Sequence, residues 1–176
     1  MYNNIFNEND MIRLQKILRA NKQTITSAES CTGGLVASMI TKIAGSSDIF
    51  NGSIVSYSNK IKNQELQVKN ETLEKFGAVS IEVVKEMLDG AIRKFNANYA
   101  IAISGIAGPG GATDYKPVGT VVIGISDDKD HKIVKIFTFK GNREEVQMQA
   151  GKCSLINIAR ILQNNMDKWQ TLFHNS

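Results

Sequence analysis

The sequence predicts an α/β fold, a three-layer α/β/α sandwich built around a mixed sheet. Segments with the 3.6-residue period of amphipathic helices alternate along the chain with short apolar segments typical of strands. Two further strand-like segments, 118–126 and 132–139, are separated by a polar turn over 127–130, which indicates an antiparallel hairpin. A length of 176 residues fits one domain, so we expect a single domain over 1–176.

The N-terminal half contains two predicted helices and two predicted strands. The first helix is predicted over 10–20, where apolar residues share one helical face. A short β-rich run over 24–28 leads into a turn, and a second helix follows it as far as Gly45. The second strand is predicted over 52–57, and the polar segment after it can begin a helix at Asn59.

The second half adds a helix, a buried strand, the hairpin and a final helix. Ser80 is a predicted N-cap for a helix over 81–95. The strand over 99–103 is apolar throughout, as expected for a strand that is covered on both faces. The last helix is predicted to start at Asn142, because Glu145 three residues later gives the spacing of a capping box.

Composition excludes several classes of protein. Hydrophobic residues make up 42% and charged residues 22% of the chain, which argues against disorder. The sequence has no apolar run of 18 residues and no signal-peptide pattern, so we expect no membrane segment and a cytoplasmic location. The net charge of +4 comes from scattered basic residues, so a nucleic-acid surface is not expected.

Histidine and cysteine are scarce. The chain has two histidines, His131 and His174, and two cysteines, Cys31 and Cys153. No Cys/His group has the spacing of a zinc site, so the sequence predicts no metal site and no cofactor. A Ser/His or Cys/His mechanism would need one of only two imidazoles. Any catalysis is therefore expected to use another base.

The end of the first predicted strand carries reactive side chains. Residues 28–34 place Ser30 at the start of a helix, where it could attack a carbonyl group. The helix amides there could instead hold an oxyanion or a phosphate. Ser30 and Thr32 could also do no more than cap the helix. The spacing does not match the G-x-S-x-G elbow of α/β-hydrolases.

Two other segments could contribute to a site. The glycine-rich loop over 104–111 lets backbone amides approach a ligand, but it matches neither standard nucleotide-phosphate motif. The segment 57–62 ends in a lysine, and burial lowers the pKa of a lysine enough for it to act as a base. A serine with a desolvated lysine is a chemically sensible pair in a chain so poor in histidine.

Seven segments carry a shared motif pattern across nearly the whole chain. They are A-E-S-C-T-G-G at 28–34, I-A-G-S-S at 43–47, Y-S-N-x-x-K at 57–62, G-A-V-S at 77–80, S-G-I-A-G-P-G-G at 104–111, K-P-V-G-T-V at 116–121 and G-N-R-E-E-V at 141–146. In this order they resemble the CinA C-terminal domain family, the nicotinamide-nucleotide amidases. Seven ordered matches are far more specific than any one of them.

The resemblance implies a function and a set of roles. It implies hydrolysis of the carboxamide of nicotinamide mononucleotide to nicotinic acid mononucleotide and ammonia, in pyridine nucleotide salvage, by a homodimer or higher homo-oligomer. Ser30 would be the nucleophile, Lys62 its general base and Tyr57 a hydrogen-bonding partner. Loop amides would hold the oxyanion, and Arg143 would meet the 5′-phosphate. The full predicted substrate-binding set is Thr32, Gly33, Gly34, Ser104, Gly105, Gly108, Gly110, Gly111 and Arg143.

Several alternatives stay open at this stage. Lys60 lies two residues from Lys62, and either lysine could be the base. Cys31 could be the nucleophile, or it could be a small residue packed behind the turn. The whole chain could also be a nucleotide-binding module without turnover, or an accessory protein in competence or DNA damage.

Overall fold

The computed structural model describes residues 6–163, which form six α-helices and five strands. In chain order these are α1 (Glu8–Ala20), β1 (Ile25–Glu29), α2 (Leu35–Thr41), β2 (Phe50–Val55), α3 (Asn59–Leu66), α4 (Asn70–Phe76), α5 (Ile81–Phe95), β3 (Tyr99–Gly105), β4 (Thr120–Asp127), β5 (Lys132–Thr138) and α6 (Arg143–Gln163). A short 3₁₀ helix, Ser46–Asp48, precedes β2.

The five strands form one mixed sheet in the order β2-β1-β3-β4-β5. Strand β1 pairs in parallel with both β2 and β3, and the pairs β3–β4 and β4–β5 are antiparallel. Ala28 pairs with Ala102 across β1 and β3, and Ile101 pairs with Ile125 across β3 and β4. The predicted mixed sheet and its C-terminal hairpin are confirmed.

Helices cover both faces of the sheet, as predicted. Side chains alternate between the faces along a strand. Tyr99, Ile101 and Ile103 of β3 join a buried cluster with α1, α2 and α6. Ala100 and Ala102 join a second cluster with α3, α4 and α5. The small alanines on that face allow α5 to lie close to the sheet.

Strand β1 lies between β2 and β3, and the two connections that follow β1 pass over opposite faces of the sheet. Helix α2, on the first face, leads from β1 outward to β2, whereas α3, α4 and α5, on the second face, lead from β2 back to β3 on the other side of β1. At the carboxyl ends of β1 and β3 the chain leaves in opposite directions, from β1 toward β2 and from β3 toward β4. Such a divergence opens a crevice in which α/β sheets bind ligands.

Helix α4, which the sequence patterns did not predict, packs beside α3 and α5. It has seven residues, and no side chain caps its first turn. Leu73 is its one buried residue. A helix this short, with a single apolar anchor, gives no measurable period in the sequence.

Glycine at position 90 allows α3 and α5 to touch. A Cβ atom at Gly90 would lie 2.1 Å from the carbonyl oxygen of Leu66, the last residue of α3. The contact is with backbone, which cannot rotate away as a flexible side chain can. This position therefore fixes how closely α3 approaches α5.

Some predicted boundaries shift by a few residues. Helix α1 begins at Glu8 rather than residue 10, because Asn7 and Asp10 form a capping box. Strand β4 begins at Thr120 rather than 118, since Pro117 accepts a turn hydrogen bond from the Thr120 amide. The predicted capping box of α6 is confirmed by reciprocal hydrogen bonds between Asn142 and Glu145. Within residues 6–163, every helix is too short or too polar to cross a membrane.

Candidate active site

A cavity of about 230 Å³ lies at the carboxyl ends of β1 and β3. It brings together three segments that are far apart in sequence: the turn after β1, the start of α3 and the glycine-rich loop after β3. The predicted site residues that line it are Ser30, Tyr57, Lys62, Ser104, Gly105, Gly108, Gly110, Gly111 and Arg143. Thr32, Gly33 and Gly34 lie in the turn behind it and do not line it.

Lys62 and Ser30 are in direct contact at the base of the cavity. Lys62 Nζ lies 3.0 Å from Ser30 Oγ and 2.7 Å from the carbonyl oxygen of Ser56. The Lys62 side chain is 1% exposed and Ser30 is 8% exposed. Both partners of the amine are neutral oxygen atoms, so no carboxylate holds Lys62 in its charged form.

Burial changes the acidity of this lysine. Desolvation lowers the pKa of Lys62 from 10.5 to about 8, because the charged ammonium form is penalised in a buried site. Lys60 lies two positions earlier on α3, so its side chain projects from the opposite face of the helix. It is exposed to solvent. Of the two lysines, only Lys62 contacts Ser30.

We expect any reaction that uses Lys62 as a base to accelerate with rising pH around pH 8. The active form is the neutral amine, which is a minor species below the pKa of about 8 and the major species above it. The rate should therefore rise about eight- to tenfold between pH 7 and pH 9 and then level off. A profile of kcat against pH measures this. A rate that falls over the same range would contradict a lysine base.

Cys31, the residue beside Ser30, is buried and weakly acidic. Burial raises the pKa of its thiol to about 12, despite the opposing charges of Lys62 and Arg143. The thiol is therefore protonated at neutral pH, whereas the thiolate is the nucleophilic form. These properties favour the interpretation of Cys31 as a packed residue.

The start of α2 is capped by Glu29, the last residue of β1. The Glu29 carboxylate accepts hydrogen bonds from the amides of Gly34 (3.1 Å), Val36 (3.0 Å) and Ala37 (2.9 Å). The Ser27 hydroxyl donates to the same carboxylate at 3.1 Å. A fully buried negative charge at a helix N-terminus is thus stabilised by four donors.

This arrangement corrects the expectation that Ser30 and Thr32 cap the helix. The N-cap position is Gly34, in the left-handed conformation, and no side chain of the turn caps it. Thr32 Oγ1 is buried without any hydrogen-bond partner. Glu29 already binds the amides of Gly34, Val36 and Ala37. These amides cannot bind an anionic ligand as well, so the expected anion site at the start of α2 is not formed.

Replacing Glu29 with glutamine should destabilise the protein by about 2–4 kcal/mol. The glutamine amide group turns an N–H donor toward backbone N–H donors, and breaking a buried charged network leaves these donors without acceptors. Urea unfolding of the purified variant measures the change. A Glu86→Gln variant changes a half-buried carboxylate of α5 that accepts hydrogen bonds from the Lys69 amide and the Thr72 hydroxyl at the start of α4. It is the matched control and should lose less than about 1 kcal/mol.

Ser104 and Lys116 join the glycine-rich loop to the wall of the cavity. The Ser104 hydroxyl donates to the Ala78 carbonyl at 2.7 Å. Lys116 Nζ donates to the carbonyls of Val79 at 2.7 Å and Phe76 at 3.2 Å. Both side chains therefore hold the segment 76–80 against the loop.

Arg143 and Tyr57 meet at the mouth of the cavity. Arg143 lies in the first turn of α6, and its guanidinium donates to the Gly108 carbonyl at 2.7 Å and to the Tyr57 hydroxyl. Tyr57 is 58% exposed. A cation at the rim of a mostly neutral cavity can bind an anionic group of a ligand whose other end reaches Ser30.

Two residues at the site had no predicted role. Asn59 lines the cavity from the first turn of α3, one turn before Lys62. Gln147 lies one turn after Arg143 on α6 and donates to the Cys31 carbonyl at 2.7 Å. Asn59 precedes Lys62 by three positions and Gln147 follows Arg143 by four, and this helical spacing was the signal that could have found them.

Histidine and metal ligands do not contribute to this cavity. His131 pairs with Asp127 at 2.8 Å in the β4–β5 hairpin, at the opposite end of the strands, and His174 lies outside the described residues. Over residues 6–163, no three His, Cys, Asp or Glu side chains cluster in a way that could hold a metal ion.

Comparisons with known proteins agree on one family. A family profile described as "CinA C-terminal domain" matches residues 8–162. A "CinA-like protein" of Prochlorococcus marinus strain AS9601 is 47% identical over 167 residues, which is 92% of this chain. Another, from Syntrophomonas wolfei, is 49% identical over 140 residues, or 80% of the chain. The chain spans only 39% and 33% of the lengths of these two relatives.

Solved structures share the fold. A CinA superfamily protein from Klebsiella pneumoniae 700603 superposes with a TM-score of 0.84 at 34% identity, covering 88% of this chain and 96% of that one. A competence-damaged protein (CinA) superfamily protein from Escherichia coli gives a TM-score of 0.82 at 32% identity, covering 89% of each chain.

Proposed function

Because the chain belongs to the CinA C-terminal domain family, we propose that it is an amidohydrolase that converts nicotinamide mononucleotide to nicotinic acid mononucleotide and ammonia. The observation that carries the proposal is the contact of 3.0 Å between Lys62 Nζ and Ser30 Oγ in a buried site. A protein that only binds a nucleotide has no need for an amine with a lowered pKa against a hydroxyl group.

The first half of the reaction forms an acyl-enzyme. Neutral Lys62 accepts the proton of Ser30 as Oγ attacks the carboxamide carbon. The resulting ammonium of Lys62 then donates that proton to the nitrogen of the tetrahedral intermediate. The carbon–nitrogen bond breaks, ammonia leaves, and the acyl group stays on Ser30.

The second half restores the enzyme. A water molecule gives a proton to Lys62 and attacks the ester carbon, and the bond to Ser30 Oγ breaks as Lys62 returns the proton to that oxygen. The product is a carboxylic acid, which ionises. Throughout, the Ser56 carbonyl can accept an N–H of the lysine, since the two atoms lie 2.7 Å apart. This contact keeps the amine directed at Ser30 in both protonation states.

The mouth of the cavity suits a phosphorylated substrate. Among residues 6–163, Arg143 is the one cationic side chain that lines the cavity besides Lys62. A 5′-phosphate there would replace the neutral partners of the guanidinium, Tyr57 and Gly108, with a charged acceptor. Ala78, Val79 and Ile106 supply the apolar lining against which a pyridine ring can lie.

Ammonia release from the purified protein tests the proposal. Nicotinamide mononucleotide should be hydrolysed fastest, and nicotinamide riboside much more slowly because it lacks the phosphate for Arg143. The nicotinamide-containing dinucleotide is the third compound tested, and a heat-inactivated sample of the protein is the blank. Binding of the mononucleotide without ammonia release would support a binding module instead. If folded protein released no ammonia from any of the three compounds, the proposal that it is an amidohydrolase would be wrong.

A further inference from the structure

The proposed reaction needs donors for the oxyanion of the tetrahedral intermediate. Such donors contribute a large part of catalysis in acyl transfer, because they stabilise charge that appears only in the transition state. The amides that open α2 are occupied by Glu29. The donors must therefore come from elsewhere around Ser30. The resemblance assigns this role to the amides of the glycine-rich loop, which lines the cavity, and the turn that follows Ser30 offers two more.

The two peptide groups that flank Cys31 are both fixed by their carbonyl oxygens. The Ser30 carbonyl accepts the Gly33 amide at 3.1 Å, and the Cys31 carbonyl accepts Gln147 Nε2 at 2.7 Å. In a trans peptide the N–H points away from the preceding carbonyl. The amides of Cys31 and Thr32 are thereby turned away from Gly33 and Gln147.

These two amides are buried but donate to no oxygen atom in the described part of the chain. Cys31 is 5% exposed and Thr32 is 4% exposed. Buried backbone N–H groups nearly always have a partner, and successive free ones form a site for an anion. The amide of the residue directly after the nucleophile is a position at which α/β-hydrolases place an oxyanion donor.

The Cys31 amide belongs to the peptide group that joins two residues of the cavity. Both Ser30 and Cys31 line the cavity. The Ser30 amide donates to the Ile103 carbonyl at 2.9 Å, so it is not available to a ligand. The Cys31 amide is therefore the next backbone donor along the chain from the nucleophile.

We propose that the backbone N–H of Cys31, with that of Thr32 beside it, stabilises the tetrahedral oxyanion, and that Gln147 is the positioning residue that holds this turn in place. The inference rests on the proposed amidase function and adds the oxyanion donors to it. Gln147 reaches the turn from α6, so the final helix supports both the mouth of the cavity, through Arg143, and its floor.

A Gln147→Met variant tests the inference, because methionine keeps the length of the side chain and removes the donor. We expect kcat for nicotinamide mononucleotide to fall about 10- to 100-fold, with KM within about twofold of wild type. The pH at half-maximal rate should stay unchanged, since Gln147 does not contact Lys62. Gln147→Glu places a carboxylate beside the Cys31 carbonyl, and its kcat should fall by at least as much.

Gln149→Met is the matched control. Gln149 lies on the same helix and donates to the carbonyls of Lys140 and Glu145, outside the cavity. Its kcat should stay within about twofold of wild type. Two results would overturn the inference. One is a Gln147→Met variant in which KM rises but kcat does not fall. The other is a kcat within twofold of wild type in both folded Gln147 variants.

An activated ester separates this inference from the proposed function. Acylation of Ser30 by p-nitrophenyl acetate needs the nucleophile and the oxyanion donors but not nucleotide recognition. If wild type releases no ammonia yet shows the acylation burst, the substrate is wrong, and a slower burst in Gln147→Met still supports the inference. If wild type shows neither reaction, both proposals fail.

Discussion

Replacing Ser30 with alanine should abolish the proposed ammonia release, with a loss in kcat of about 10⁴-fold or more. The hydroxyl that contacts Lys62 is removed, and the neighbouring thiol cannot replace it, because burial raises the pKa of Cys31 to about 12. Single-turnover measurement with excess enzyme gives the residual rate. Retained turnover with Cys31 intact would contradict the serine nucleophile.

The control for this variant is a serine on the surface of the adjoining helix. Ser38→Ala removes an exposed hydroxyl from α2 and should leave kcat within about twofold of wild type. Thermal unfolding of both variants separates a loss of chemistry from a loss of fold. Ser30→Ala should melt close to wild type, since it removes one hydroxyl at the floor of a cavity.

Replacing Lys62 with arginine should reduce kcat about 10³- to 10⁴-fold although the positive charge remains. Arginine stays protonated in proteins, so it cannot accept the proton of Ser30. Lys62→Met should lose a similar amount, because it removes the base and the charge together. Equal losses in the two variants would identify proton transfer, rather than positive charge, as the contribution of this side chain.

Lys60→Met is the paired control, since Lys60 is exposed on the same helix. It should leave both kcat and its dependence on pH unchanged. More than about a tenth of wild-type activity in Lys62→Arg, or a large loss in Lys60→Met, would move the assignment of the base away from Lys62.

The sheet was predictable because it depends on local patterns. The apolar run over 99–103 and the polar turn over 127–130 each identify their own element, and tertiary packing does not alter them. Helix α4 was not predictable, because one buried residue, Leu73, is enough to hold it once α5 is in place.

The site was predictable only in part, for a similar reason. The patterns placed Ser30 at a strand end and made Lys62 a candidate, but they could not separate Lys62 from Lys60. That distinction depends on which face of α3 is covered by the rest of the fold. Gln147 is 116 positions from Cys31 in the chain, so only the packing of α6 reveals their contact.

Ser30 and Lys62 are supported by packing on opposite faces of the sheet. Ser30 leads into α2, which packs in the cluster with α1 and α6, whereas α3 carries Lys62 and packs in the cluster with α5, where Gly90 sets its approach. Their distance of 3.0 Å therefore depends on two packing arrangements, one on each face of the sheet. Any reaction that uses this pair depends on the alignment of the two layers, so its rate should decline on heating before either layer unfolds.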